Sequence, residues 1–217
     1  MEVEKLYRHR FEESELPRKL AIWKVLCDEF FGKYVRPEDV VIDVGAGYCE
    51  FINNIRAARR IAVDLNPRVR EFAGADVEVR NESCTNLASF PDSSADVVFM
   101  SNFLEHLPSK RLVFDTLGEA RRILRSGGRL MILQPNIRLL PGEYWDFFDH
   151  HTPLTEKSLV EALLNLDMQP EVVIARFLPY TTKSLLPQAP WLVRMYLRFP
   201  PAWRLLGKQS FVLARKR

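Results

Sequence analysis

The chain has 217 residues, a formal net charge of +3, 47% hydrophobic and 27% charged residues. That is enough for one globular domain with an appendage and a sizeable core, and it excludes a disordered polymer. The longest uncharged run, Ser184 to Val193, falls short of the ~20 residues that span a bilayer. The first ten residues are charged rather than built like a signal peptide, and three widely spaced cysteines support neither a disulfide framework nor a cysteine zinc site. A reduced, cytoplasmic protein is expected.

The charge is unevenly placed. From Val172 to Arg217 there are nine Lys or Arg and no Asp or Glu, so the body before it is acidic and the last part basic.

In chain order, Leu16, Leu20, Trp23, Cys27, Phe30 and Tyr34 recur at steps of four and three, which predicts a helix from about Glu15 to Tyr34 with Ser14 as its cap. Together with what precedes it, this forms an N-terminal helical lid, residues 1–36. After Pro37 the pattern changes to short β-branched runs alternating with helical segments. Strands are predicted over Val40–Val44, Arg60–Val63, Val77–Val79, Ala95–Met100, Arg129–Leu133, Val172–Leu178 and Ser210–Ala214. The clearest helix runs from Lys110 to Leu124, capped by Ser109, and another begins near Thr155. Strands alternating with helices imply an α/β, Rossmann-like doubly wound sheet with helices on both faces. The domain then covers residues 37–217, with an aromatic and basic insertion at about 180–208.

The most informative stretch is Val40 to Phe51, VVIDVGAGYCEF, where a strand runs into Gly45 and Gly47 and a helix is expected just beyond. Glycines there permit a tight turn and close approach of backbone to a ligand. Asp64 closes the next strand, where a carboxylate can accept hydrogen bonds from ribose hydroxyls. These features favour an adenosine-containing ligand. A dinucleotide fingerprint is broken by Glu50 in the place of its third glycine, and no Gly-Lys-Ser/Thr follows to make a P-loop.

At this point the sequence resembles the class I S-adenosylmethionine-dependent methyltransferases. VIDVGAGYC is similar to their first motif, AVDLNP to the acidic second, FPDSSADVVFMSNFLEHL to the fourth-strand motif and ILRSGGRLMI to the fifth. The resemblance implies a mostly parallel sheet with an antiparallel last strand, and S-adenosylmethionine as cofactor. It places Asp43, Gly45, Ala46 and Gly47 around the methionine part and sugar, Asp64 on the ribose, Leu65 over the adenine, and Asn102 and Phe103 beside the sulfonium. Two departures are visible: Cys49 stands where the family has a further glycine, and Ser83 and Cys84 stand where it often has an adenine-binding Asp. Adenine recognition then falls to backbone groups and the Ser83 hydroxyl.

Methyl transfer from a sulfonium needs alignment above all, and a base only when the acceptor must lose a proton. His106 in NFLEHL and the pair Asp149 and His150 in YWDFFDHH are the candidates for that role, each also readable as plain packing of its loop. Glu105, His106 and a later histidine also resemble part of the E-x-x-E-H run of metal-dependent O-methyltransferases. Asn102 replaces the first acid of that run, so no metal is expected. The cluster Tyr7, Arg8, His9, Arg10 and Phe11 reads either as a flap over the site or as a solvated face.

The acceptor expected is a hydroxyl on a small molecule, a sugar or a lipid-linked glycan. A nucleic-acid acceptor is disfavoured because the basic residues of the tail are interleaved with Leu, Val and Trp. A catalytically silent binding module is the remaining alternative. In Pro190–Phe199, Arg194 and Arg198 share one narrow stripe of an otherwise apolar helix. Two readings stay open for it: a substrate lid, or a foot on an anionic membrane surface, which would make the protein peripheral to the inner face of a membrane.

Overall fold

A computed structural model describes residues 16–180 and 189–217. Seven strands, β1 (Val40–Val44), β2 (Arg59–Val63), β3 (Val77–Arg80), β4 (Ala95–Ser101), β5 (Leu124–Pro135), β6 (Met168–Ile174) and β7 (Gln209–Lys216), form one sheet in the order β3-β2-β1-β4-β5-β7-β6. Pairings from β3 through β5 are parallel, and β7 runs antiparallel to both its neighbours. The doubly wound sheet with an antiparallel last strand is therefore the observed fold. Strand order reverses between β1 and β4, so the crevice at their carboxyl ends is where such a sheet binds ligands.

Alternation along the strands divides the core between two faces. Val41, Val97, Phe99, Met131, Leu133 and Phe211 point one way, and Ile42, Val98, Met100, Ile132 and Val212 the other. The second face is mainly aliphatic and is covered by α3 (Lys110–Ile123) and α4 (Glu156–Asn165), after a short α2 (Val69–Phe72) on the opposite side. The first face is aromatic. Helix α1 (Leu16–Glu29) and the inserted helices α5 (Pro190–Leu197) and α6 (Pro200–Leu206) lie over it, and Phe30, Phe31, Phe51, Phe99, Phe177 and Phe211 interlock beneath them.

Helix starts follow the sequence signals. Ser109 accepts from the Leu112 amide, and Thr155 with Ser158 forms a capping box. Four expectations are corrected. The first helix ends at Glu29 and a 3₁₀ turn, Phe31–Tyr34, follows, because Phe30 and Phe31 both turn into the core with ring centroids 5.4 Å apart. Phe30 itself leaves helical geometry, with a φ of −128°. The helix expected after the glycine loop does not form. Cys49 takes a left-handed φ of 59°, and the chain continues only as turns closed by bonds such as Asn53 N to Cys49 O at 3.0 Å. Arg60 then takes the carbonyls of Ile52 and Asn53, ending the turn.

β5 is longer than expected, starting directly at the end of α3. β6 begins earlier, at Met168, and stops at Ile174. It is an edge strand, which tolerates Pro170 at an irregularity in the pairing, and residues beyond Ile174 turn away to bond the chain before β7. Ser14, Tyr7–Phe11 and part of the 180–208 insertion lie outside the described residues.

Candidate functional site

The glycine loop leaves β1 at the switch point and is tied to the next strand. Gly45 and Ala46 amides donate to the Val63 carbonyl at 2.9 and 3.2 Å, and the Gly47 amide donates to Asp64 Oδ2 at 2.9 Å. The two features that stood seventeen residues apart thus meet. Gly45 (φ 74°) and Gly47 (φ 51°) both occupy the left-handed region that costs other residues strain. A Cβ on Gly45 would fall 2.4 Å from the Phe103 ring, so only glycine lets Phe103 pack there. A Cβ on Gly47 would meet no described atom within 4 Å.

Asp64 also accepts from the Asn66 amide through Oδ1 at 2.8 Å. A carboxylate has about four lone-pair positions, so each oxygen keeps room for a hydroxyl donor. Leu65 follows with 70% of its surface exposed, an apolar cover beside a polar anchor.

Asp43 is buried at the end of β1. Burial pushes its carboxyl well above the usual range, and the negative charges of Glu50 and Asp64 push the same way. Lys19 of α1 pairs with Glu50 at 2.5 Å. This acidic surround favours a ligand that brings positive charge. Cys49 is fully buried with its thiol pushed up by burial, so it packs and does not act as a nucleophile.

Ser83 and Cys84 sit in the loop after β3. Cys84 is buried and accepts from the Thr116 hydroxyl at 3.3 Å, turned to α3. The Ser83 hydroxyl lies 3.0 Å from that of Thr85.

After β4, Asn102 adopts φ 46°, with its amide on the Leu133 carbonyl, and Phe103 covers Gly45. The 3₁₀ turn Leu104–His106 comes next. The loop after β5 is clamped to it: His151 and Thr152 amides donate to the Glu105 carbonyl at 2.8 and 3.1 Å, and the Thr152 hydroxyl donates to the Leu107 carbonyl at 2.5 Å. That clamp delivers Asp149 and His150 to His106. With Nδ1 as donor, His106 bonds the Asp149 carboxylate at 3.2 Å and its carbonyl at 3.1 Å, and the rings of His106 and His150 meet with centroids 5.1 Å apart. His150 is buried between Tyr144 and Phe147.

Burial pulls the His106 imidazole down, but the bond to Asp149 and the charges of Glu105 and Asp149 outweigh it, so its pKa ends above the ordinary histidine value. One ligand atom each from Glu105, His106 and His150 lies within 4.8 Å of the others, a spacing that could also hold an ion. All three catalytic candidates are therefore brought together, and Phe103 links them to the glycine loop.

Sequence reasoning missed Gln134, near the end of β5. It is 1% exposed, and neither side-chain polar atom has a hydrogen-bond partner among the described residues. A lone Gln in an apolar strand was its signal. A surface concavity lined by Pro37, Asn54 and Arg60 lies toward the amino ends of β1 and β2 and away from these groups.

Residues 42–132 match the methyltransferase domain family. A probable methyltransferase of Aspergillus luteorubrus is 27% identical over 118 residues, covering 46% of this chain and 41% of that protein. The ribosomal protein L11 methyltransferase of Geobacillus kaustophilus is 31% identical over 116 residues, covering 49% of this chain and 35% of that protein. The chain thus spans less than half the length of these relatives. A Thermotoga maritima S-adenosylmethionine-dependent methyltransferase, a possible histamine N-methyltransferase, superimposes with a TM-score of 0.70 at 19% identity, covering 98% of this chain and 99% of that one. Over residues 42–132 the chain thus matches a methyltransferase domain, and its whole fold is that of S-adenosylmethionine-dependent methyltransferase structures. The glycine cradle, the spare capacity of Asp64 and the acidic surround fit that cofactor.

Proposed function

We propose that this protein transfers a methyl group from S-adenosylmethionine to a hydroxyl of a small molecule, a sugar or a lipid-linked glycan. The observation that carries the reading is the meeting of His106, Asp149 and His150 beside Phe103, which itself packs on the glycine loop. When bound, the cofactor supplies a methyl group on a sulfonium, already activated for displacement.

Asp64 accepts from the ribose hydroxyls in this reading, and the Gly45–Gly47 backbone and Asp43 take the methionine end. Ser83 and the Cys84 backbone border the adenine, with Leu65 over its face. Asn102 and Phe103 flank the sulfonium side. With His106 Nδ1 donating to Asp149, Nε2 carries the lone pair and accepts the acceptor's proton. Asp149 fixes that tautomer and steadies the charged ring.

The relatives support no particular acceptor. One is named for a ribosomal protein and a structural neighbour for histamine, while the match to the family stops at residue 132, ahead of the loop that holds Asp149 and His150. The test is calorimetric titration with S-adenosylmethionine, repeated on Asp64→Ala. Loss of charge-assisted bonds worth roughly 1.5–3 kcal/mol predicts ~10- to 100-fold weaker binding with the fold retained. Absence of binding to the unaltered protein removes the enzyme reading, and unchanged affinity in the variant removes the ribose assignment.

A further inference from the structure

Half of the large exposed apolar side chains among the described residues belong to one short stretch of this molecule. Trp191, Met195 and Phe199 stand 60, 60 and 61% exposed, and Leu205 and Leu206 stand 82 and 41% exposed, all within the α5–α6 insertion. Leu65, Trp145 and Phe148, at 70, 55 and 76%, lie on loops that leave the carboxyl ends of β2 and β5. The insertion is rooted at that same edge. Asn136, one residue past β5, donates to the Ala175 carbonyl at 3.1 Å, and the Phe177 amide donates to the carbonyl of Gln209, where β7 starts.

Helix α5 is divided by its own contacts. Val193, Tyr196 and Leu197 face the aromatic core, with the Tyr196 hydroxyl on the Phe177 carbonyl and the Trp203 indole on the Tyr196 carbonyl at 2.8 Å. Trp191, Met195 and, just past the helix, Phe199 follow one another at steps of four on the outward side. Arg194 and Arg198 flank them at 47 and 68% side-chain exposure and bond Glu29 of α1, which is 20% exposed beneath them. Arg204 is exposed next to Leu205. The three guanidinium groups outnumber the single carboxylate, and no acidic residue occurs anywhere from Val172 to Arg217.

An outward aromatic and Met stripe bordered by arginines is the chemistry of a helix lying in a lipid interface: rings enter the acyl boundary and guanidinium groups reach the headgroups. Among the described residues no helix is long and apolar enough to cross a membrane. We infer that the α5–α6 insertion docks the carboxyl edge of the sheet on an anionic lipid surface. Docking there presents the His106 side of the molecule to acceptors carried by that surface. The inference deepens the proposed function, yet its readout is vesicle binding and stands or falls without turnover.

The test is co-sedimentation of the full chain with phosphatidylcholine vesicles, with and without phosphatidylglycerol. The expected result is binding to the anionic vesicles that weakens with added salt and is ~10-fold or more poorer on phosphatidylcholine alone. Trp191→Ser/Phe199→Ser/Leu205→Ser should lower vesicle binding ~10-fold or more while S-adenosylmethionine still binds in calorimetry. Arg204→Glu, a single exposed change, should lower binding to the anionic vesicles without altering cofactor affinity. Absence of binding at low ionic strength overturns the inference, as does binding that neither variant weakens. Light scattering that shows a dimer, broken by the triple variant, would assign the face to a second copy and overturn it equally.

Discussion

The proposed cofactor side and the proposed acceptor side of this site are built on opposite principles. From Val40 to Asp64 the working groups are backbone amides, two glycines and the carboxyl groups of Asp43 and Asp64, on neighbouring parallel strands and the loop tied between them. From Leu104 to Thr152 they are side chains whose positions depend on a loop folded back across forty-odd residues onto a 3₁₀ turn. The first arrangement is local and nearly forced once β1 and β2 pair. The second needs the Glu105 carbonyl to receive two amides before Asp149 can meet His106. In the proposed reading, function common to many acceptors sits on the rigid side, and function that selects one acceptor sits on the adjustable side.

The contrast can be broken at its strongest point first. His106→Ala should reduce turnover by ~10²- to 10⁴-fold, the usual worth of a positioned base, with cofactor affinity unchanged in calorimetry. Full activity would leave His106 a packing residue. Next in size, Phe31→Ala should cost ~3–5 kcal/mol in denaturant unfolding, because the ring is fully buried among Trp23, Phe51 and Phe99. A loss under ~1 kcal/mol would mean that the aromatic face can collapse around the gap.

A smaller effect concerns proton uptake. Because Asp149 and Glu105 hold the His106 pKa up, the ring in its proposed role would serve as a base only above that raised pKa. The rate should therefore climb with pH through a midpoint above the ordinary histidine value. Asp149→Asn removes the charge and should move that midpoint down; buried His150 and Tyr144, the other titratable groups packed there, remain. An unmoved midpoint would detach Asp149 from the titration.

The smallest expected effect is none. EDTA should leave methyl transfer unchanged if Glu105, His106 and His150 work as a hydrogen-bonded group. A rate lost to EDTA and restored by a divalent cation would reassign them as ligands.

Much of the cofactor side was legible before any coordinates. Gly45, Gly47 and Asp64 follow directly on strands that alternation marks, and their chemistry is that of the backbone they interrupt. The helix expected after them was the failure. No pattern warns that Cys49 adopts a left-handed φ while its side chain is sealed among core residues. The acceptor side was legible only as residue types: His106, Asp149 and His150 were named, but their meeting was not implied by spacing. Gln134 was passed over because a strand pattern does not say which polar residue is left inside without a partner.

The tail shows the same division. Its excess of basic residues over acidic ones is a property of the sequence alone. That Arg194 and Arg198 spend part of their charge on Glu29, some 165 residues away, while Trp191 and Met195 face outward, was decided by tertiary packing. Local periodicity and turn chemistry act within a few residues, so sequence determined the strands, most helices and the glycine loop. The sheet's register and the docking of loops act over the whole chain, so only the folded structure decided which side chains share a site.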